Sequence, residues 1–116
     1  MVEQALIARE ILRGEGISAS VINMHTVKPL DTQLLLTEAQ QTGAIVTTEE
    51  HNVLGGLGSA VAEALSEICP VPVVKHGVPD QFGKSGAGKD LLEYFGLNAN
   101  GIVEKVKAAL KLKKMR

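Results

Sequence analysis

The 116-residue sequence has little of what several classes of protein need. With no tryptophan, one tyrosine and two phenylalanines, it offers few aromatic platforms for stacking nucleic-acid bases. The single cysteine, Cys69, excludes an intramolecular disulfide and a zinc site built from several cysteines. No apolar run approaches the roughly 20 residues of a transmembrane helix, and the N-terminus lacks a signal-peptide core. We therefore expect a cytoplasmic protein with no membrane and no nucleic-acid partner.

Charge is distributed unevenly along the chain. Residues 1–104 contain 6 Lys/Arg and 13 Asp/Glu, a net charge of −7, whereas residues 105–116 contain 6 Lys/Arg and no acid, a net charge of +6. The acidic body argues against a nucleic-acid footprint across the domain. The basic tail is typical of a solvated helix end, where cations suit the negative end of the helix dipole. Contact with an anionic partner is the alternative.

What the chain does contain is a regular alternation of helical and extended patterns. Apolar residues make up 45% and charged residues 22%, as in one globular domain. Spacing and punctuation predict helices over 2–13, from the N-cap Asp31 to Gly43, and over 58–68, 89–95 and 99–112, the last capped by Asn98. Strands are predicted over 17–24, 44–48 and 71–76. This order indicates an α/β domain with a parallel sheet covered by helices on both faces.

Two glycine-rich loops resemble phosphate-binding motifs without matching them. The run from Gly83 to Asp90 fits the phosphate-loop pattern until its last position, where Asp90 replaces the hydroxyl that binds magnesium. The loop at Gly55 and Gly56 follows a strand and precedes a helix, but Val61 stands where a dinucleotide motif needs its third glycine. Both loops are therefore interpreted as turns, with anion binding by the Gly55–Gly56 loop kept as an alternative.

Polar residues gather where the predicted strands end. Glu49, Glu50 and His51 follow the second strand, at the edge where open α/β sheets place their sites. A carboxylate beside an imidazole suits acid–base chemistry or ligand orientation, and equally an interface. His25, His51 and His76 each fall near a strand end, and three histidines can hold zinc. Their spacing merely repeats the βα unit, so no metal site is predicted.

Four segments together resemble one family. They are VINMHTVKPLD (21–31), AIVTTEEHNVLGGLGSAVAEAL (44–65), PVVKHGVPDQFGKSG (72–86) and DLLEYFGLNANGIVEKVKAAL (90–110). They are similar to the C-terminal domain of transketolase-like thiamine-diphosphate enzymes, above all to transketolases whose C-terminal part is a separate subunit. 1-Deoxyxylulose-5-phosphate synthase and the beta subunits of 2-oxo-acid dehydrogenases carry related domains.

This resemblance implies one three-layer α/β/α domain over residues 1–116, lacking the N-terminal strands of the family domain. It also implies that the chain binds no cofactor, because thiamine diphosphate and Mg²⁺ sit between other domains of the holoenzyme. No residue is assigned a catalytic role, and Glu49, Glu50, His51, Gly55 and Gly56 match family positions expected to serve packing and interfaces.

The implied function is that of a structural and dimerisation domain in an enzyme that moves two-carbon ketol units between sugar phosphates. The implied partners are the pyrimidine-binding domain, the N-terminal section and a second copy. The synthase, the dehydrogenase and a stand-alone anion- or effector-binding module remain the alternatives.

Overall fold

A computed structural model of the chain describes residues 2–23, 31–52, 56–78 and 98–115. Within these ranges the chain forms four helices and two strands. In chain order they are α1 (Val2–Gly14), α2 (Thr32–Thr42), β1 (Ile45–Asn52), α3 (Leu57–Ile68), β2 (Val73–Val78) and α4 (Ala99–Lys114). None of these helices combines the length and the apolar character that a membrane crossing requires.

The two strands run parallel and pair directly. Ile45 lies opposite Val73 and Thr48 opposite His76, with an irregularity in the register between Thr48 and Asn52. Parallel neighbours need a crossover connection, and α3 supplies it. The predicted α/β class and its parallel sheet are thereby confirmed.

Helices α2 and α3 cover one face of the sheet. Their buried residues share one apolar cluster with residues at the start of both strands, which comprises Leu35, Ala39, Val61 and Leu65 with Ile45, Leu57, Cys69, Val71 and Val73 around them. Because strand side chains alternate between faces, Ile45, Thr47 and Glu49 all point toward this layer. Cys69 is a free, half-buried thiol at the C-cap of α3.

Helices α1 and α4 form the opposite layer and pack side by side. Their cluster contains Ala8, Leu12, Ala99, Ile102 and Val103 and shares no residue with the other. The two helices run in the same direction, since Gln4 contacts Ala99 near their starts and Glu15 contacts Lys107 further along. The result is a three-layer arrangement of helices, sheet and helices.

The helix ends follow the predicted capping residues. Asp31 accepts a hydrogen bond from the N–H of Leu34 at 3.1 Å, and Asn98 accepts one from Gly101 at 2.9 Å. Gly43 ends α2 in the left-handed conformation, with φ of 77°, which suits a residue without a side chain. These signals work from sequence because each satisfies local backbone groups of its own helix.

The extended segments differ from the prediction. Residues 17–23 form neither helix nor strand, so the strand predicted over 17–24 is wrong as far as the structure describes it. Ile17 and Ala19 pack instead against the α1–α4 cluster. Alternating polarity shows which side chains are buried, but a strand also needs a neighbour to pair with. β1 is longer than predicted because its pairing with β2 continues to Asn52.

Candidate interface site at the junction of β1 and α3

The polar end of β1 is built around the carboxylate of Glu49. This side chain is buried and accepts two backbone hydrogen bonds from the first turn of α3, from Leu57 N–H to Oε1 at 2.6 Å and from Gly58 N–H to Oε2 at 3.1 Å. The first N–H groups of a helix have no partner inside it and carry partial positive charge. Glu49 therefore caps α3 and ties it to the sheet.

Helix α3 approaches the strands most closely at Gly58. A Cβ atom placed on this glycine would lie 2.6 Å from Thr47 Oγ1 and 2.6 Å from Lys75 Cγ. Such distances would force Thr47 and Lys75 to shift, so the junction favours glycine at this position. Thr47 lies beneath the first turn of α3, and its buried hydroxyl has no hydrogen-bond partner among the described residues. The junction is thus tightly packed and filled by the chain itself.

Gly56 is the N-cap of α3, as its place before the helix predicts. Its backbone is extended, with φ of −94°, and its carbonyl accepts the N–H of Ala60 at 3.1 Å. Among the described glycines, Gly16 and Gly43 have positive φ, and Gly56 does not. The need for close backbone approach falls on Gly58, two residues later.

The remaining predicted site residues are placed only in part. Glu50 and His51 belong to β1 by their backbone, but their side chains lie outside the described part of the chain. Gly55 also lies outside the described residues, as do the whole loop from Gly83 to Asp90 and the helix predicted over 89–95. The assignment of Glu50, His51 and Gly55 to packing and interfaces stays a prediction.

Of the three histidines, only His76 has its side chain among the described residues. His76 is buried within β2, and its Nδ1 lies 3.3 Å from Thr48 Oγ1 on the opposite strand. Its register partner is therefore Thr48 and not His51, and His25 lies outside the described residues. Across 2–23, 31–52, 56–78 and 98–115, no three or more of His, Cys, Asp and Glu gather as a metal site would need.

Sequence reasoning missed the roles of Glu49 and Gly58 in α3. The sequence predicts a packing role for Glu49 but not its partners, the N–H groups of Leu57 and Gly58. An acidic residue at the end of a strand that leads into a helix is the pattern that could have indicated them. The close approach at Gly58 leaves no local signal, because it depends on Lys75 from another strand. Contacts between distant segments are not visible in local spacing.

Comparison with known proteins identifies the family. Residues 1–102 match the model of the transketolase C-terminal domain. The chain belongs to the transketolase C-terminal domain family. It is 54% identical over 103 residues to the 6-deoxy-6-sulfo-D-fructose transketolase subunit SqwH of Clostridium sp., a match that covers 89% of this chain and 32% of the relative.

Other relatives place the same domain in different contexts. A putative transketolase C-terminal section of Methanocaldococcus jannaschii is 38% identical over 95% of this chain and 34% of its own length. A 1-deoxy-D-xylulose-5-phosphate synthase of Synechococcus sp. is 46% identical over 93% of this chain but 17% of its own length. The chain thus spans about a third of the transketolase relatives and about a sixth of the synthase.

A solved structure agrees in fold. It is a split-gene transketolase in the form of an inactive β4 tetramer, with a TM-score of 0.88 and 53% sequence identity. The match covers 97% of this chain and 36% of that chain. The family resemblance and the α/β fold expected from the four sequence segments are confirmed.

The junction does not fit thiamine diphosphate, the cofactor of the family. A diphosphate would need backbone N–H groups at the start of α3, but those of Leu57 and Gly58 already bond to the Glu49 carboxylate. A second anion there would meet that negative charge at close range. The described residues therefore provide no place for the cofactor at this junction.

Proposed function

We propose that this chain is the C-terminal structural and dimerisation section of a transketolase. The assembled enzyme transfers two-carbon ketol units between sugar phosphates, and its other sections hold thiamine diphosphate and a divalent metal. The chain's partners are then the pyrimidine-binding domain, the N-terminal section and a second copy of itself.

The observation that carries this proposal is the 54% identity to a transketolase subunit over 89% of the chain. The synthase of Synechococcus, at 46%, carries the domain as a small part of a much longer polypeptide. The solved split-gene transketolase, 53% identical, is a tetramer of one kind of subunit. These relatives favour ketol transfer by an enzyme assembled from separate subunits.

The geometry of the β1–α3 junction supports a structural role. Both oxygens of the Glu49 carboxylate accept backbone N–H groups of α3, so this side chain is engaged within the fold. Gly58 closes the remaining space against Thr47 and Lys75. We assign Glu50, His51, Gly55 and Gly56 to the surface through which this junction meets the other sections.

The substrate class is the finer part of the proposal. The relative SqwH is named for 6-deoxy-6-sulfo-D-fructose, a ketose with a terminal sulfonate. A sulfonate and a phosphate are both terminal anions, so the domain's family membership does not choose between them. Both kinds of ketose belong in the assay.

The experiment is reconstitution. The chain is co-purified with the product of the reading frame directly upstream, and ketol transfer is measured with thiamine diphosphate, magnesium and each ketose donor. We expect transfer by the assembled enzyme and none by this chain alone. Turnover by the chain alone would contradict the proposal. Formation of 1-deoxy-D-xylulose 5-phosphate by the assembly would show that the enzyme is a synthase and not a transketolase.

A further inference from the structure

The two helix layers carry opposite charge. α2 and α3 together contain three acidic residues and no lysine or arginine. α1 and α4 together contain three acidic residues and seven lysines and arginines. A molecule with oppositely charged layers on its two sides offers complementary surfaces to its own copies.

The cations at the end of α4 divide into two groups. Lys107 pairs with Glu15 at 2.9 Å, and Lys113 donates to the carbonyl of Thr42 at 2.6 Å. The hydrogen bond and the charge of Glu15 raise the pKa of Lys107 above its ordinary value. Lys111 and Lys114 have no ion-pair partner within the described residues and are exposed on the last turns.

Apolar side chains accompany these two lysines. Leu112 is 45% and Met115 is 75% exposed, so apolar surface lies next to the two lysines. We call Lys111, Leu112, Lys114 and Met115 the tail patch. The match to the family model covers residues 1–102 and ends before the tail patch.

The opposite layer offers a surface of matching character. Glu63 and Glu67 are exposed one turn apart on α3, and Ile68 beside them is 47% exposed. We call these three residues the acidic patch. Like the tail patch, it combines two charges of one sign with exposed apolar surface.

We propose that the tail patch of one chain docks on the acidic patch of a second copy. Lys111 and Lys114 meet Glu63 and Glu67, while Leu112 and Met115 cover Ile68. A polyanion such as nucleic acid or an acidic membrane is disfavoured, because the body that carries the tail has a net charge of −7. The inference depends on these surfaces and not on the proposed enzymatic activity.

Sedimentation velocity of the 116-residue chain tests it. A contact of this size is at the weak end of protein interfaces, so the chain is studied from about 10 µM to about 1 mM in low salt. The tail variant, Lys111→Glu with Lys114→Glu, should lower the association constant by about tenfold or more. The patch variant, Glu63→Lys with Glu67→Lys, should do the same. A mixture of the two variants should associate again, because both of their cross-contacts are attractive.

The control variant is Arg9→Glu with Arg13→Glu, which changes net charge as much as the tail variant but lies on α1. Circular dichroism checks that every variant remains folded. The proposal is overturned by a wild-type chain that stays monomeric over the whole range. It is equally overturned by a control as weakened as the tail variant, by a mixture that does not associate, or by tail-dependent binding of DNA or anionic vesicles to the monomer.

Discussion

The two helix layers are attached in different ways. The α2–α3 layer is joined to the sheet by a buried polar contact, since Glu49 at the end of β1 holds the first turn of α3. The α1–α4 layer is held by an apolar seam and, near its ends, by contacts between the two helices themselves, from Gln4 to Ala99 N–H at 2.9 Å and from Glu15 to Lys107. The difference shows that Glu49, whose carboxylate could suit a chemical role, is already hydrogen-bonded within the fold.

This difference in attachment bears on where function can lie. At the β1–α3 junction, one residue of a motif that suits acid–base chemistry, Glu49, is bonded through its carboxylate to the first turn of α3. Away from this junction, charged residues of both layers remain exposed, such as Glu63 and Glu67 on α3 and Lys111 and Lys114 on α4. Substitutions that change the capping or the packing one at a time therefore test whether the two layers are attached differently.

Removing one large core side chain from each layer should have the largest effect. Leu65→Ala and Leu12→Ala each empty a site that is 1% exposed, and each should cost about 2–5 kcal/mol of stability. Urea unfolding measures the cost. The amide NMR signals of Leu57 and Gly58 should shift in Leu65→Ala and stay in place in Leu12→Ala. Equal shifts in both variants would show that the layers are not attached separately.

Crowding the junction should come next. Gly58→Ala brings a methyl group against Thr47 and Lys75, and overpacking of this kind costs about 1–3 kcal/mol. Gly14→Ala is the matched control, since Gly14 ends α1 and a Cβ there meets nothing within 4 Å. Thermal unfolding should show a lower midpoint for Gly58→Ala alone. A neutral Gly58→Ala would mean that the first turn of α3 moves freely over the strands.

Neutralising the cap should have a somewhat smaller effect. Glu49→Gln keeps the shape but offers one acceptor oxygen to two N–H groups, so stability should fall by about 1–2 kcal/mol. Glu63→Gln, exposed on the same helix, serves as control and should stay within about 0.5 kcal/mol of wild type. Equal stabilities for the two variants would show that the Glu49 carboxylate does not stabilise the start of α3.

Removing the buried hydroxyl should have the smallest effect, with the opposite sign. Thr47→Val replaces a hydroxyl that has no partner among the described residues by a methyl group of similar size. Because an unbonded buried hydroxyl costs free energy, the variant should be more stable by up to about 1 kcal/mol. A clear loss of stability in the same urea titration would reveal a partner for Thr47.

Local signals explain how much of the fold was predictable. The caps at Asp31, Gly43 and Asn98 act within a few residues, and they placed α2 and α4 correctly. The alternation in residues 17–23 reported burial of Ile17 and Ala19 but could not supply a neighbouring strand. The full length of β1 likewise depends on β2, some 28 residues away at the pair Thr48 and His76.

The candidate site was predictable by location but not by role. The family motif pointed to Glu49 and Gly56, and both lie at the β1–α3 junction. That Glu49 bonds to Leu57 and Gly58, and that Gly58 faces Lys75, follows from the way the strands and α3 are arranged in three dimensions. The treatment of residues 1–116 as one domain stays a prediction.

The specific activity of the reconstituted enzyme carrying Glu49→Gln decides whether Glu49 acts only as a cap of α3. If Glu49 only caps α3, ketol transfer per assembled complex should stay within about twofold of wild type, although the variant unfolds more readily. Assembly is checked by size-exclusion chromatography in the same buffer. A loss of about tenfold or more in activity, with assembly and folding intact, would place Glu49 in the chemistry and contradict the account.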